Sequence, residues 1–183
     1  MGRQYREIPQ KMIDFIRDQK LFFVATAAAD GRVNLSPKGM DSLRVLDERR
    51  LVWLNVTGSG NETAAHVREF PRMTLMFCAF EGSPMILRLY GTPRVIHSYD
   101  TEWETLYPLF KPLFGARQIF DLTVELVQTS CGMGVPFYDY AGEREQLTAW
   151  AEKKGEAGIR DYWREKNRHS LDGKATHVLE PED

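Results

Sequence analysis

Residues 33–63 bring together side chains that can hold a phosphate group. They read as a strand that ends in Ser36-Pro37-Lys38-Gly39, a hairpin, and an apolar strand that ends in a polar turn at residues 57–63. A strand-end lysine preceded by a serine offers a phosphate a point charge and a hydroxyl. The turn contains Ser59, Asn61 and Thr63 at a predicted helix start, where backbone N–H groups favour anions.

The same residues also have ordinary structural interpretations. Lys38 taken alone is typical of a solvated lysine at a strand end. Ser59 or Asn61 can cap the predicted helix, and Glu62 suits its first turn. Capping and phosphate binding are compatible, because an anion can occupy the same helix N-terminus.

Two further positions could face a ligand. In the apolar strand before the turn, Trp53 and Asn55 lie on the face opposite Leu54 and Val56, although an isolated tryptophan is usually a packing residue. Cys131, at the end of the last long strand, is either a reactive thiol or a plain buried cysteine.

Other catalytic patterns are absent from the sequence. It contains no G-x-S-x-G element, no Walker loop and no dinucleotide G-x-G-x-x-G loop, and its four histidines lack metal-ligand spacing. We therefore expect no metal site. No acid–base pair is evident either, so a bound cofactor is expected to supply any chemistry.

Composition narrows the class of protein. The 183 residues suffice for one domain, and the net charge of −2 gives no support for a nucleic-acid or membrane-surface partner. No apolar run approaches the roughly 20 residues that a membrane span needs. The polar N-terminus lacks a signal-peptide core and there are only two cysteines, so we expect a cytoplasmic protein.

The pattern of elements predicts antiparallel hairpins with peripheral helices. Asp30-Gly31 is a hairpin signal between strands at 21–28 and 33–38. The other predicted elements are strands at 43–46, 51–56, 73–80, 85–96 (with a bulge at Gly91) and 119–131, and helices at 9–19, 61–70 and 100–109, the last capped by Asp100. Six or seven strands of this kind favour a closed or split antiparallel barrel, with an open sandwich as the alternative.

Beyond Gly142 the chain becomes charged and helical. Helices are predicted at 143–154 and 156–166, separated by Gly155. This C-terminal extension, residues 142–183, is too small to be a domain of its own. We therefore predict one domain over residues 1–183, with the extension as a lid or a dimer arm.

Several short motifs occur in a fixed order over residues 22–95: Ala25-Thr26, Asp30-Gly31, residues 34–39, Thr57-Gly58-Ser59, Ala65-His66-Val67 and Leu87-Arg88-Leu89-Tyr90-Gly91. Their order and spacing resemble those of the pyridoxamine 5′-phosphate oxidase-like family. The segments 131–136 and 167–173 are similar to a branch of that family distinct from the vitamin B6 oxidases. The resemblance implies a mainly β (α+β) fold: a split β-barrel that dimerises and holds FMN at the subunit interface.

The resemblance also implies roles for individual residues. Lys38 matches the family's phosphate-binding lysine, the strand at Trp53 and Asn55 matches the one that passes the flavin ring, and the turn at 59–63 matches the one that grips the phosphate. The partner's strand near Ser130 and Cys131 would complete the pocket. The cofactor-binding residues predicted in this way are Asn34, Ser36, Lys38, Trp53, Asn55, Ser59, Asn61, Thr63, Ser130 and Cys131.

Departures from the vitamin B6 oxidases change the expected activity. Those enzymes have an Arg-Lys pair in the turn where this chain has Gly60-Asn61-Glu62-Thr63, and their C-terminal arginine-rich motif is not recognisable here. We therefore expect an FMN-dependent oxidoreductase that transfers hydride to or from another small molecule, with catalytic residues undefined. The alternatives are a non-catalytic flavin- or haem-binding module, or a reductase using the deazaflavin F420, whose more anionic tail would require more Arg and Lys near the groove.

Overall fold

The computed structural model describes residues 2–180, and residues 1 and 181–183 of the predicted domain and extension lie outside the described residues. The strands are β1 Gln4–Tyr5, β2 Phe22–Thr26, β3 Asn34–Lys38, β4 Leu43–Asp47, β5 Arg50–Val56, β6 Met73–Cys78, β7 Ile86–His97 and β8 Ala116–Ser130. The α-helices are α1 Gln10–Asp18, α2 Glu62–Glu69, α3 Trp103–Leu106 and α4 Gln146–Tyr162.

All the strands join one antiparallel sheet in the order β3-β2-β6-β7-β8-β5-β4, with β1 added to β8. The sheet and its helices form an α+β split barrel, which confirms the predicted fold class. The hairpin across Asp30-Gly31 is confirmed, since Thr26 pairs with Asn34 and Phe22 with Lys38. A register shift occurs at Gly91 as predicted, but the extra residue is Glu125 on the partner strand β8, because Tyr90 pairs with Leu126 and Gly91 with Val124.

The apolar sides of the sheet and of the first two helices form the main core. Ile13 and Ile16 of α1 and Val67 of α2 pack with strand residues that include Trp53 and Phe120. The stripe of α1 faces inward as its three- and four-residue spacing predicts. Burial of this core fixes β5 and α2 relative to one another, and β3 is held by its pairing with β2.

The predicted helix at 100–109 is wrong in extent. Only residues 103–106 are α-helical, and Tyr107–Leu109 form a 3-10 turn. Pro108 has no N–H with which to continue an α-helix. Asp100 caps a different group, because its carboxylate accepts a hydrogen bond from the His97 N–H (2.7 Å) and closes the turn after β7.

The C-terminal extension packs on the barrel of its own chain. Gly155 leaves the helical conformation with φ of 64°, which confirms the predicted break between two helical segments. After α4 the chain forms a π-helical turn, Trp163–Asn167. Trp163 is buried with Ala151 and Ile159, and its Nε1 donates to Thr57 Oγ1 (2.8 Å). Across residues 2–180 we find no helix of the length and apolar character required to cross a bilayer.

Candidate functional site

A cavity of about 540 Å³ lies where β3, β5 and β8 meet the start of α2 and the residues that follow α4. Its size is in the usual range for small-molecule sites. Six of the ten predicted cofactor-binding residues line it: Asn34, Lys38, Asn55, Ser59, Asn61 and Thr63. The β3 and α2 contributions are joined by a hydrogen bond from Asn34 Nδ2 to Thr63 Oγ1 (3.2 Å).

Asn61 is the least satisfied polar side chain of the cavity. It occupies the N-cap position of α2, yet its side chain makes no capping hydrogen bond, contrary to the capping interpretation. It is 2% exposed, and neither its Oδ1 nor its Nδ2 has a partner among residues 2–180. Buried amides are normally paired, so an unpartnered amide at a helix N-terminus has free hydrogen-bonding capacity that a ligand in the cavity could use.

Lys38 brings a cation to the same cavity. Its Nζ lies 5.3 Å from the centroid of the Trp53 ring, within the range of a cation–π contact. Burial, followed by the nearby positive charge of Arg117, lowers the pKa of Lys38 to about 8. The ammonium is therefore charged at neutral pH but held in an environment that disfavours its charge.

Arg117 is a site residue that the sequence analysis missed. Its side chain is 3% exposed, and its Nη1 donates to Asn167 Oδ1 (2.7 Å). Its Nε has no hydrogen-bond partner in the described chain, and no carboxylate of residues 2–180 forms a salt bridge with it. Burial lowers the pKa of Arg117 to about 9, opposed by the charges of Tyr162 and Glu62. An uncompensated buried guanidinium suits an anionic ligand.

The position of Arg117 left a weak signal in the sequence. The last strand was predicted from Ile119, whereas β8 begins at Ala116. The polar pair Arg117-Gln118 thus belongs to a strand, and Gln118 pairs with Asn55 in the register of β5 and β8. Two polar residues at the start of an apolar strand would have marked this end of the sheet as a site.

The residues after α4 form another wall of the cavity. Lys166, His169, Ser170 and Leu171 line it. Glu62, the one acidic side chain that lines the cavity, accepts a hydrogen bond at Oε2 from the Leu171 N–H (2.9 Å). Its carboxylate is thus partly engaged by backbone, while Lys38 and Arg117 leave the cavity net positive. The third cation of the lining, Lys166, is paired with Glu165 (2.8 Å).

Four predicted residues do not line this cavity. Trp53 is fully buried and stacks on Phe120 with ring centroids 4.6 Å apart. Its ring contacts the Lys38 ammonium and does not line the cavity itself. Ser36 is half-buried on the same face of β3 as Lys38. At the far end of β8, Ser130 accepts a hydrogen bond from Arg88 Nη1 (3.1 Å) and Cys131 is exposed. Their contact with a cofactor stays a prediction, and for the last two it depends on a second protomer.

Comparison with known proteins gives one family. The profile described as pyridoxamine 5′-phosphate oxidase matches residues 8–131. The pyridoxamine 5′-phosphate oxidase family protein ustO of Aspergillus flavus is 36% identical over 189 residues, which covers 92% of this chain and 75% of that protein.

Two solved structures share the fold. A variant of HupZ from Group A Streptococcus superposes with a TM-score of 0.56 at 21% identity, over 67% of this chain and 99% of that one. A candidate pyridoxamine 5′-phosphate oxidase of Lactobacillus delbrueckii gives 0.53 at 22% identity, over 67% and 94%. At these identities the likeness concerns the fold alone.

The charge of Lys38 should lower the free energy of unfolding of the ligand-free protein, because its environment disfavours the ammonium. Below pH 8 both the folded and the unfolded chain carry the proton, so the folded chain bears the full cost of burying the charge. Between pH 8 and 10.5 the unfolded chain binds more protons, so stability rises with pH. We expect Lys38→Met to stabilise the ligand-free protein by about 2 kcal/mol at pH 7, less than complete burial would imply because the side chain keeps some solvent contact.

Urea unfolding at pH 7 and at pH 9.5 measures this effect. The variant should lack the gain in stability that the wild type shows between the two pH values. Lys153→Met, at an exposed position on α4, is the matched control and should change neither value. A Lys38→Met variant that is no more stable than the wild type at pH 7 and keeps the wild-type gain at pH 9.5 would contradict a destabilised Lys38 ammonium.

Proposed function

Because the chain belongs to the pyridoxamine 5′-phosphate oxidase family, we propose that it is an FMN-binding oxidoreductase that acts on a small molecule as a homodimer. One observation carries the proposal: an unpartnered buried amide, Asn61, a half-buried cation, Lys38, and a buried cation, Arg117, converge at the N-terminus of α2. Such a cluster is costly in a ligand-free protein and favourable around a phosphate.

The cavity suits the phosphate end of FMN. A phosphate monoester carries nearly two negative charges at neutral pH, which Lys38 and Arg117 can balance. The backbone N–H groups at the start of α2 and the Asn61 amide add uncharged donors. The cavity continues to Asn55 on β5, the strand that would run beneath the flavin ring.

In this proposal the protein binds and orients while the bound FMN supplies hydride transfer. Lys38 and Arg117 fix the phosphate and thereby the register of the whole cofactor along β5. Trp53 fixes the Lys38 ammonium through the ring contact, and the residues after α4 limit access of water to this end of the cavity. The substrate would approach the other end, where Ser130 and Cys131 of a second copy would contribute.

Exposed apolar side chains support self-association beside the site. Val33 just before β3 and Leu35 within it are 74% and 63% exposed, while Asn34 and Lys38 of β3 face the cavity. After β8, Met133 and Phe137 are 80% and 79% exposed. Exposed apolar surface of this kind marks interaction sites, and a second copy of the chain is the partner we propose for it.

A deazaflavin F420-dependent reductase is the second candidate function. The turn at residues 60–63 lacks the cations that the longer anionic tail of F420 would require. Arg117 supplies a cation to the same cavity from elsewhere in the chain, and Lys166 supplies a second that would have to leave its ion pair with Glu165. This arrangement favours F420 more than the sequence of the turn alone suggests.

Flavin binding tests the main proposal. After purification in the presence of FMN, the wild type should retain a flavin absorption spectrum. In fluorescence titrations, Lys38→Met should weaken FMN binding roughly 10- to 100-fold through loss of a charge-assisted hydrogen bond, and wild-type affinity should fall as the pH rises past 8. Lys153→Met serves as the control. A wild type that retains no flavin, or equal affinities in all three proteins, refutes FMN binding at this site.

Competition separates the two cofactors. We expect FMN to displace F420 at equal concentrations, because one phosphate is enough to engage Asn61, Lys38 and Arg117. Fluorescence of the two chromophores can be followed in the same titration. The reverse ranking would assign the cavity to the deazaflavin.

Light scattering tests the proposed dimer. The wild type should have twice the 21.1 kDa chain mass, and Leu35→Glu should shift it towards the monomer, because a charge would be buried in the interface. Phe114→Glu, at a half-exposed apolar residue before β8, is the control and should remain dimeric. A monomeric wild type would contradict the homodimer.

A further inference from the structure

The only side-chain hydrogen-bond partner of Arg117 among residues 2–180 is uncharged. Asn167 accepts from Nη1 at 2.7 Å, and an amide cannot neutralise the guanidinium as a carboxylate would. Asn167 thus holds the Arg117 side chain in one orientation without neutralising its charge. This arrangement retains the positive charge for a ligand in the cavity.

Asn167 is itself fixed by hydrogen bonds at both ends of its side-chain amide and at its backbone carbonyl. It is fully buried, its Nδ2 donates to the Gly58 carbonyl (3.1 Å), and its own carbonyl accepts from Thr176 Oγ1 (2.5 Å). The bond to Gly58 determines which end of the amide is the donor, so Oδ1 must face Arg117. An aspartate would have the same shape but could not donate to Gly58.

Residues 163–176, which we call the strap, are joined to the barrel by hydrogen bonds and ion pairs around the turn at residues 57–63. Trp163 at its start bonds Thr57, and the Leu171 N–H bonds Glu62. Further along, Asp172 pairs with Arg32, and Lys174 Nζ lies 2.7 Å from Asp30 and 2.6 Å from Glu69. The π-helical turn, a feature often found at functional sites, directs Trp163 and Asn167 to adjacent residues of the barrel.

We propose that Arg117 is the phosphate receptor that takes the place of the cations absent from the turn, and that Asn167 is its positioning residue, so that the strap clamps the anionic end of the ligand. The proposal deepens the function proposed above and rests on it only in naming FMN as the owner of the phosphate. It assigns to these two residues the preference for a phosphorylated flavin over riboflavin.

The ratio of the FMN and riboflavin affinities tests the roles of Arg117 and Asn167. The full chain is titrated with both flavins in the wild type, Arg117→Gln, Arg117→Lys and Asn167→Asp. Arg117→Gln and Asn167→Asp should lose FMN affinity roughly 10- to 100-fold and riboflavin affinity by less than about threefold. Arg117→Lys should recover part of the loss because it restores the charge.

A purely structural role gives a different result. If Asn167 only holds the strap in place, Asn167→Asp should weaken FMN and riboflavin equally and leave their ratio unchanged, which would overturn its role as a positioning residue. Lys153→Met again provides the control. Circular dichroism and urea unfolding identify a variant that does not fold, and Arg117→Lys then decides the role of Arg117.

Hydrogen exchange with inorganic phosphate as the probe tests the clamp without a flavin. Phosphate should slow exchange of the backbone amides of residues 163–176 in the wild type and leave them unchanged in Arg117→Gln. If phosphate protects these amides but FMN and riboflavin bind equally weakly, the strap clamps a phosphate group and FMN is not its ligand. FMN binding with the same FMN-to-riboflavin ratio in wild type and Arg117→Gln would overturn the clamp and leave the flavin function standing.

Discussion

The pairing of β8 with its neighbours is the constraint on which the site depends. This strand pairs with β7 from Ser130 to Gln118 and with β5 from Thr123 to Ala116. The ladder with β5 places the start of β8 beside the end of β5, where the turn at residues 57–63 begins, and the ladder with β7 places it beside His97. The register of β5 and β8 skips Arg117, because Asn55 pairs with Gln118 and Val56 with Ala116, so this residue lies in an irregularity that the flanking pairs fix in place. The extended hydrogen-bonded ladders therefore position a single cation, although most of their residues lie far from the cavity.

The cavity combines several features that oppose folding. A half-buried ammonium at Lys38, an uncompensated guanidinium at Arg117 and an unpartnered amide at Asn61 each cost free energy in the absence of a ligand. The core of the barrel, with Trp53, Phe120 and the strands around them, must offset that cost. Conflict of this kind between local environment and stability is expected where a protein binds a ligand.

The sequence was informative where structure depends on neighbours in the chain. The Asp30-Gly31 hairpin, the register shift at Gly91 and the clustering of Lys38 with Asn61 follow from turn chemistry and strand periodicity. The sequence did not identify Arg117 and the strap as parts of the site, because their positions depend on long-range pairing. No local pattern shows that residue 167 contacts residue 58. For Trp53, alternation along β5 identified a shared face with Asn55 but could not show that Phe120 covers the ring.

The long separation in sequence between the strap and its contacts has a consequence for synthesis. Arg32 and Asp172, or Asp30 and Lys174, meet across about 140 residues of chain. The whole ladder from β2 to β8 can form before the strap leaves the ribosome, because chains emerge from the N-terminus and local pairings form first. Until then Arg117 would face water without Asn167. The strands of the barrel can thus pair before the strap is available to complete the proposed anion site.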